Sequence, residues 1–358
     1  MSKRTLDTFF SSTPKKARVV GLSPLPSLET TNDRKYGIEN EVEATSVPMK
    51  TTNHPTYPWP IPHLPRHIAE EMELLVTAQG TEMRDQPDLD LLYFQPFIPK
   101  SIARDLFEFL RSELFFYRVS YTIKRFGKET VINTPRFTTV FGLDETSLFQ
   151  PDKHDANSFP TGNASKLPSI LEASDPSRPV RRDKYKCKPR PIPECLDLLR
   201  RVTEACTDTK YNFCLVNYYA SGSDSISYHS DDEYFLGPNP AIASFTLGAR
   251  RDFLMRHKPP KDKGSEPGVE TNAKDVKLSL SSGDMVLMRG PTQPNWLHSI
   301  PKRKGGEADN GRINITLRRA MIPAGTENYY RYNVGDGSVY RWDTVRREMV
   351  LSTKATDS

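Results

Sequence analysis

A single histidine stands among acids, hydroxyls and aromatic rings in the stretch NYYASGSDSISYHSDDEYF, residues 217–235. His229 and Asp231 are two residues apart, so in a strand their side chains point to the same face. Histidine and carboxylate together suit iron(II), and a facial set of two histidines and one carboxylate leaves three coordination positions open. Ordinary solvated turns also contain such short patterns, so a metal site requires a second histidine.

The chain has seven histidines, and His298 is the best partner for the pair. It follows the apolar segment DMVLMRG, residues 284–290. Of the other five, three lie in a polar leader, one lies in a polar insertion, and His257 has charged neighbours on both sides. His229, Asp231 and His298 are therefore the candidate ligands of one metal ion, and on spacing alone a short pattern that binds no metal is the stronger alternative.

A second unusual pattern is the strict alternation in GRINITLRRA, residues 311–320. It places Arg312, Asn314, Thr316 and Arg318 on one face of a strand and apolar residues on the other. Two arginines that point into an apolar sheet are costly unless anions pair with them. A dicarboxylate ligand would do so through bidentate hydrogen bonds. The alternative is an edge strand with a solvated basic face.

The surrounding pattern predicts the elements that position these residues. Segments 101–114 and 192–206 have apolar residues at helical spacing. Six short β-branched or aromatic segments follow between residues 211 and 318, separated by turn sequences. Helices followed by many short strands predict an α+β, mainly β fold, an antiparallel sandwich or jelly roll with the N-terminal helices packed on one side.

Composition divides the chain into three parts. We expect residues 1–85, rich in Pro, Ser, Thr and charge, to be mostly disordered apart from a short helix in HIAEEMELLVTA. Residues 86–325 form the predicted domain, with polar surface insertions at about 150–182 and 258–274, and residues 326–358 form a C-terminal extension.

The totals exclude several classes of protein. Four cysteines without a CxxC pair argue against a disulfide framework or a zinc module and favour a reducing, intracellular compartment. No run of about 18 apolar residues occurs, so we expect no membrane span. A net charge of +5 is compatible with binding to a polyanion without requiring it. We expect a monomer.

Taken together, NYY…HSDDE, NWLHSIP and RINITLR resemble the AlkB family of iron(II)- and 2-oxoglutarate-dependent dioxygenases. The shared pattern is H-x-D, a distant histidine, and R-x-N-x-x-x-R fourteen residues after that histidine. The resemblance covers roughly residues 90–320 and implies a double-stranded β-helix, with O2 as co-substrate and Fe(2+) on the three residues named above. It also implies that 2-oxoglutarate is bound by Asn217, Tyr219, Arg312, Asn314 and Arg318. Which arginine binds which carboxylate of 2-oxoglutarate is left open.

The resemblance also implies an activity. Members related to DNA repair hydroxylate an alkyl carbon on a base nitrogen, and the hemiaminal then collapses to formaldehyde and the repaired base. Expected lesions are 1-methyladenine and 3-methylcytosine in DNA, which must be extruded or unpaired to be reached. The alternatives are an RNA demethylase with the same chemistry, and a non-enzymatic adaptor for damaged DNA or the sliding clamp.

Asp232 and Glu233 extend the HSDDE run, and the resemblance suggests that they face the flipped base or support the site. Alkylation at a ring nitrogen makes the base cationic, so nearby carboxylates would favour damaged over intact base. Ordinary turn acids are the alternative. Tyr185 is our expectation for an aromatic residue that stacks on the base, with a surface tyrosine as the alternative.

Residues of about 115–145 resemble the nucleotide-recognition lid of the family. Phe126 and Gly127 match a hydrophobic finger that can occupy the gap left by a flipped base. This chain has about two extra residues between FGK and PR compared with the duplex-acting relatives, so a core aromatic residue is an equal alternative. Arg136 is expected to contact phosphates.

The N-terminal KRTLDTFF resembles the peptide that replication proteins insert into the sliding clamp. Leu6, Phe9 and Phe10 have the required spacing, although Lys3 stands where that motif has glutamine. Chance apolar residues in a disordered end are the alternative. The basic run PKKARV follows and is compatible with nuclear import. We therefore expect a nuclear protein that is recruited to replication sites.

Overall fold

The computed structural model describes residues 50–75, 79–125, 128–150, 170–259, 272–323, 325–335 and 337–352. The described residues belong to one compact unit. Its α-helices are α1 Arg66–Glu73, α2 Lys100–Glu113, α3 Glu194–Thr207, α4 Thr292–Asn295 and α5 Glu327–Asn333, and short 3-10 helices span Tyr234–Leu236 and Gly306–Asn310.

The strands precede and follow these helices in chain order. They are β1 Thr51–Thr52, β2 Ile61–Pro62, β3 Thr81–Met83, β4 Leu91–Phe94, β5 Phe116–Tyr117, β6 Ser120–Arg125, β7 Lys128–Asn133, β8 Phe137–Gly142, β9 Ser147–Phe149, β10 Ile170–Glu172, β11 Asp175–Pro179, β12 Phe213–Tyr219, β13 Ile226–His229, β14 Ile242–Gly248, β15 Arg251–His257, β16 Val276–Leu280, β17 Met285–Met288, β18 Trp296–Ile300, β19 Arg312–Arg318, β20 Val339–Asp343 and β21 Glu348–Leu351.

Two antiparallel sheets form the core. The larger has the order β21-β20-β5-β8-β12-β19-β14-β17-β4-β3, and the smaller has the order β13-β18-β15-β16. Strands distant in sequence, such as β12 and β19, are neighbours in the large sheet, as crossing connections in a jelly roll require. The predicted mainly β jelly roll is confirmed, and all six predicted strands after residue 210 are present.

β19 lies in the middle of the large sheet. It pairs with β12 on one side, where Asn217 is opposite Asn314, and with β14 on the other. Every residue of the strand is buried, with Arg312 at 1% and Arg318 at 2% of their exposed area. The alternative of an edge strand with a solvated basic face is therefore wrong.

The two longest helices bury the stripes that their spacing predicts. In α2, Ile102, Leu106 and Leu110 are buried, and the helix packs against β14 and β20. In α3, Leu196 and Leu199 are buried, and this helix contacts α1. The apolar faces of the helices thus cover the sheet and each other.

The folded part begins earlier than the sequence suggests. We expected residues 1–85 to be mostly disordered, but within them β1 and β2 pair, α1 forms as expected, and β3 extends the large sheet. Ile61, Ile68 and Met72 are buried, and the Tyr57 hydroxyl donates to the carbonyl of Pro191 at 2.5 Å. Prolines divide this region into elements too short to show periodicity, so tertiary contacts order it.

The C-terminal extension packs back on the domain. β20 pairs with β5 and β21, and the Trp342 ring stacks on the Arg111 guanidinium at 4.0 Å. Of the two predicted insertions, residues 170–179 form the hairpin β10–β11, and residues 151–169 and 260–271 lie outside the described residues. All four cysteines lie among the described residues, and none of them forms a disulfide there. Among the described residues, no helix has the length and apolar content needed to cross a membrane.

Candidate metal and co-substrate site

A cavity of about 760 Å³ lies between the two sheets. β12 and β19 of the large sheet line one side, and β13, β15 and β18 of the small sheet line the other, with α5 at the edge. Because inward side chains of both sheets meet here, residues far apart in sequence share one small space. A cavity of this size can hold more than one small molecule.

The histidines and aspartate of the first pattern meet in this cavity. His229 and His298 are paired residues of the antiparallel strands β13 and β18, with ring centroids 4.2 Å apart. The potential ligand atoms of His229, Asp231 and His298 all lie within 4.8 Å of one another. Two imidazole nitrogens and one carboxylate at this separation form a set that can hold iron(II).

The protonation states suit a metal. His229 Nδ1 lies 2.8 Å from the carbonyl oxygen of Ser227, and since a carbonyl only accepts, Nδ1 carries a proton and Nε2 is the nitrogen left to bind a metal. Burial lowers the pKa of His298 to about 3, so its imidazole is neutral. Burial alone would raise the pKa of Asp231, but Arg318 and the two histidines hold it below its usual range, so the carboxylate is charged.

Neighbouring groups fix the orientation of Asp231. Arg318 donates through Nη2 to Asp231 Oδ2 at 2.8 Å. The Asp231 backbone N–H donates to Oε1 of the buried Gln293 at 2.9 Å. Such supporting contacts hold a ligating carboxylate in one position.

Arg312 is a buried cation with unused donors. Its Nη2 donates to Thr246 Oγ1 at 2.8 Å, while Nε and Nη1 have no hydrogen-bond partner among the described residues. No acidic side chain of the described residues forms an ion pair with it, and burial lowers its pKa to about 10. The Tyr219 ring lies 5.3 Å from its guanidinium. An anionic ligand would satisfy these donors, and a carboxylate of 2-oxoglutarate fits that need.

Two asparagines and another arginine complete this side of the cavity. Asn314 donates through Nδ2 to Ser244 Oγ at 2.9 Å and to the Phe245 carbonyl at 2.8 Å. Arg136 donates through Nε to Asn217 Oδ1 at 2.9 Å. The polar groups are thus fixed by one another before any ligand enters.

The comparisons with known proteins agree with this donor set. The sequence model of the 2OG-Fe(II) oxygenase superfamily matches residues 90–318, from β4 and its approach to the last residue of β19. The chain belongs to this superfamily. As a 2OG-Fe(II) oxygenase, it is a dioxygenase enzyme whose cofactor is Fe(2+) and whose co-substrates are 2-oxoglutarate and O2.

Relatives place the chain among the AlkB oxygenases. It is 30% identical over 250 residues to a DNA oxidative demethylase ALKBH2 of Arabidopsis thaliana, covering 65% of this chain and 67% of the relative. It is 37% identical over 134 residues to the human protein of that name, covering 37% of this chain and 49% of the relative. It is also 37% identical over 142 residues to the mouse alpha-ketoglutarate-dependent dioxygenase alkB homolog 3, and this match covers 39% of this chain and 48% of the relative. The chain thus spans about half the length of these two mammalian relatives.

Among solved structures, the one titled "The structure of OsALKBH1" covers 67% of this chain and 100% of its own, with a TM-score of 0.35 and 18% identity.

The structure brings most of the expected site residues of this oxygenase together. These ten line the cavity: Arg136, Asn217, Tyr219, His229, Asp231, Glu233, His298, Arg312, Asn314 and Arg318. Their roles as ligands of iron, co-substrate or base remain predictions.

Other expected residues lie elsewhere. Asp232 is not in the cavity lining and accepts from Lys258 Nζ at 2.6 Å. Tyr185 is also outside the lining, and its hydroxyl donates to Asp144 Oδ2 at 2.7 Å. Phe126 and Gly127 lie outside the described residues, as do the tail residues Leu6, Phe9 and Phe10. The rest of the expected lid, about residues 115–145, contains the hairpin of β6 and β7 and also β5 and β8, which belong to the large sheet.

Sequence reasoning missed the residues that α5 adds to the cavity. Asn328, Tyr329, Tyr332 and Asn333 all line it, and the Tyr329 hydroxyl donates to Glu233 Oε1 at 2.7 Å. Their spacing in ENYYRYN puts them on one face of a helical turn, which is the signal available in the sequence. Gln293, in contrast, has no local signal, because its contact with Asp231 spans 62 residues.

Proposed function

We propose that this oxygenase is a DNA oxidative demethylase that removes alkyl groups from base nitrogens, as in 1-methyladenine and 3-methylcytosine. The observation that carries the proposal is the set of His229 with the buried Asp231 and His298, in a cavity also lined by Arg312, a buried cation with unpartnered donors. The named activity of the ALKBH2 relatives supports DNA as the substrate.

In this proposal, His229, Asp231 and His298 hold Fe(2+), and Arg312, Arg318, Asn217, Tyr219 and Asn314 hold 2-oxoglutarate. When bound, iron, 2-oxoglutarate and oxygen supply an oxidative decarboxylation to succinate and carbon dioxide, coupled to hydroxylation of the alkyl carbon. The hydroxylated alkyl group then leaves the base nitrogen as formaldehyde.

The side chains of the chain bind, orient and shield the reactants. The neutral imidazole of His298 presents a lone pair, and Arg318 keeps Asp231 charged and in place. Arg312 fixes a carboxylate, so that the reacting keto acid has one orientation. The enclosing sheets exclude bulk water.

Glu233 supports the choice of an alkylated base. It lines the cavity two residues after Asp231 in the sequence, and the Tyr329 hydroxyl donates to its Oε1. A carboxylate here attracts the positive charge that alkylation gives to a ring nitrogen. Asp232 contributes less directly because Lys258 already pairs with it. Arg136 is the proposed contact to the substrate strand at the cavity edge, with Phe126 and Gly127 as the finger of the lid.

The test is coupled turnover. Purified protein receives iron(II) and 2-oxoglutarate without oxygen, then oxygen and single-stranded DNA containing 3-methylcytosine, and formaldehyde and succinate are quantified together. Equal yields are expected, and His229→Ala should remove both products, whereas the surface control His67→Ala should retain them. Succinate without formaldehyde would overturn the DNA substrate. Faster turnover on RNA of matched sequence would reassign the substrate to RNA.

The N-terminal tail is proposed to bring the enzyme to the sliding clamp in the nucleus. Leu6, Phe9 and Phe10 have the spacing of three apolar anchors on a short helical turn, and basic residues flank them. Full-length protein should bind immobilised clamp, and a Phe9→Ala, Phe10→Ala variant should lose that binding while keeping demethylation. Equal binding by both proteins would overturn this part of the proposal.

A further inference from the structure

The C-terminal helix α5 is fixed to the body of the domain. The buried Tyr330 donates its hydroxyl to the Gly142 carbonyl at 2.9 Å and accepts from the Arg190 backbone N–H at 2.8 Å. Thr138 also donates to the Asn333 carbonyl. The helix therefore presents its opposite residues to the cavity in a defined position.

The residues presented come from outside the matched family region. The superfamily match ends at residue 318, whereas α5 begins at Glu327. Asn328, Tyr329, Tyr332 and Asn333 nevertheless line the cavity. One wall of the site is thus built by the C-terminal extension.

The two tyrosines of this wall differ in environment. The Tyr329 ring packs edge-on against Phe213 at 5.4 Å and Phe235 at 5.6 Å. Its hydroxyl is engaged by Glu233. Tyr332 is 67% exposed although it lines the cavity, and it has no ring contact or hydrogen bond to the described residues. Its ring is therefore available to a ligand.

The other aromatic rings of the cavity offer no comparable face. Tyr219, Phe235 and Phe253 are at most 7% exposed. Phe253 also stacks on His298, with centroids 5.3 Å apart. Among the described residues that line the cavity, Tyr332 is the exposed aromatic residue.

We propose that Tyr332 stacks on the alkylated base and contributes to its selection over the intact base. This inference rests on the proposed function. An aromatic ring at the mouth of a nucleotide site binds a base through its π face. A base made cationic by alkylation gains an additional attraction to the electron-rich phenol ring. Tyr332 thereby takes the place that we expected for Tyr185, whose hydroxyl is bound to Asp144 outside the cavity.

The experiment is equilibrium binding without turnover. Protein with iron(II) and 2-oxoglutarate, kept free of oxygen, is titrated into a fluorescent single-stranded oligonucleotide containing one 3-methylcytosine, and into the same oligonucleotide with cytosine. Tyr332→Ala should weaken binding to the methylated strand about tenfold, and binding to the intact strand by less than about twofold. Tyr332→Phe should restore most of the affinity because it retains the ring.

Tyr234→Ala is the matched control. Tyr234 is also an exposed tyrosine, at 84%, but it does not line the cavity. Its removal should change binding to either strand by less than about twofold. Thermal melting of all variants should match the wild type, because both side chains are exposed.

The binding and turnover results together distinguish failure of the inference about Tyr332 from failure of the proposed function. If the wild type releases formaldehyde from the methylated strand but Tyr332→Ala binds that strand as tightly, the inference is wrong and the proposed function stands. Equal weakening on both strands would also overturn it, because Tyr332 would then contact the strand without selecting the base. If the wild type releases no formaldehyde from DNA, the proposed function itself fails, and the inference with it.

Discussion

Arg318 and Asp231 form a buried ion pair, with Arg318 Nη2 2.8 Å from Asp231 Oδ2. Both side chains are at most 6% exposed. The pair stabilises the ionised carboxylate before metal enters, and Arg318 keeps Nε and Nη1 free for another acceptor. One arginine can therefore connect the proposed metal ligand with the proposed co-substrate.

Removing Arg318 should destabilise the metal-free protein. Arg318→Met leaves the Asp231 charge buried without its ion-pair partner, so we expect the free energy of unfolding to fall by about 3 kcal/mol. Urea denaturation of the metal-free protein measures this. The neighbour Arg319 pairs with Glu145 at the surface and is the control, since Arg319→Met should cost less than about 1 kcal/mol. An equal decrease in the free energy of unfolding of the two variants would contradict the prediction.

Removing Arg312 in an Arg312→Met variant, unlike removing Arg318, should not destabilise the ligand-free protein. Without an ion-pair partner among the described residues, the buried Arg312 guanidinium costs free energy when no anion is bound. We expect the ligand-free variant to be at least as stable as the wild type, while its affinity for 2-oxoglutarate falls at least a hundredfold. Thermal melting with and without 2-oxoglutarate measures both effects. A variant that is still stabilised by 2-oxoglutarate as strongly as the wild type would rule out Arg312 as its anchor.

Metal should stabilise the protein through the three proposed ligands. A ligand at a hundred times its dissociation constant stabilises the folded state by about 2.7 kcal/mol. Iron(II) added without oxygen should therefore raise the melting temperature, and a chelator should reverse the rise. His298→Ala should abolish it, whereas His67→Ala, at an exposed position, should not. If iron(II) still raised the melting temperature of His298→Ala, the metal would bind at another site.

The elements that the sequence predicts well have clear local periodicity. The alternation in β19 identifies both the strand and its polar face, and the stripes of α2 and α3 identify their buried sides. His229 and Asp231 are close in sequence, but β13 ends at His229, so the strand alternation that predicts their shared face does not extend to Asp231. Partnership with His298 follows from exclusion of the other histidines and from the family resemblance, since the pairing of β13 with β18 is not local.

The parts that the sequence does not predict depend on tertiary contacts. Tyr57, Ile61 and Met72 lie in a proline-rich region with little periodicity, yet the core buries them. Tyr332 lines the cavity on α5, and the hydrogen bonds of Tyr330 with Gly142 and Arg190 help to fix that helix there. Tyr185 has a suitable residue type, but its contact with Asp144 directs it away from the site. Residue type alone therefore cannot show which tyrosine, Tyr332 or Tyr185, lines the cavity.

Gln293 is the most specific of these non-local contacts, and it leads to a further prediction. Its Oε1 accepts from the Asp231 backbone N–H at 2.9 Å, and its Nε2 lies 3.2 Å from Met288 Sδ. Gln293→Met keeps a similar volume but leaves that buried N–H without a partner, so the Asp231 carboxylate loses its fixed orientation. We expect iron(II) affinity to fall by about 10- to 100-fold, as is usual when a group supporting a metal ligand is removed.

Metal titration of the Gln293→Met variant, followed by protein fluorescence without oxygen, measures the change. Asn295 lies on the same short helix α4, but among the described residues its side chain bonds only to the Pro291 carbonyl, so Asn295→Ala is the matched control and should bind iron(II) like the wild type. Unchanged affinity in Gln293→Met would show that Arg318 alone suffices to orient Asp231. Reduced affinity in both variants would instead show that α4 acts as a unit, through the position of β18 and His298.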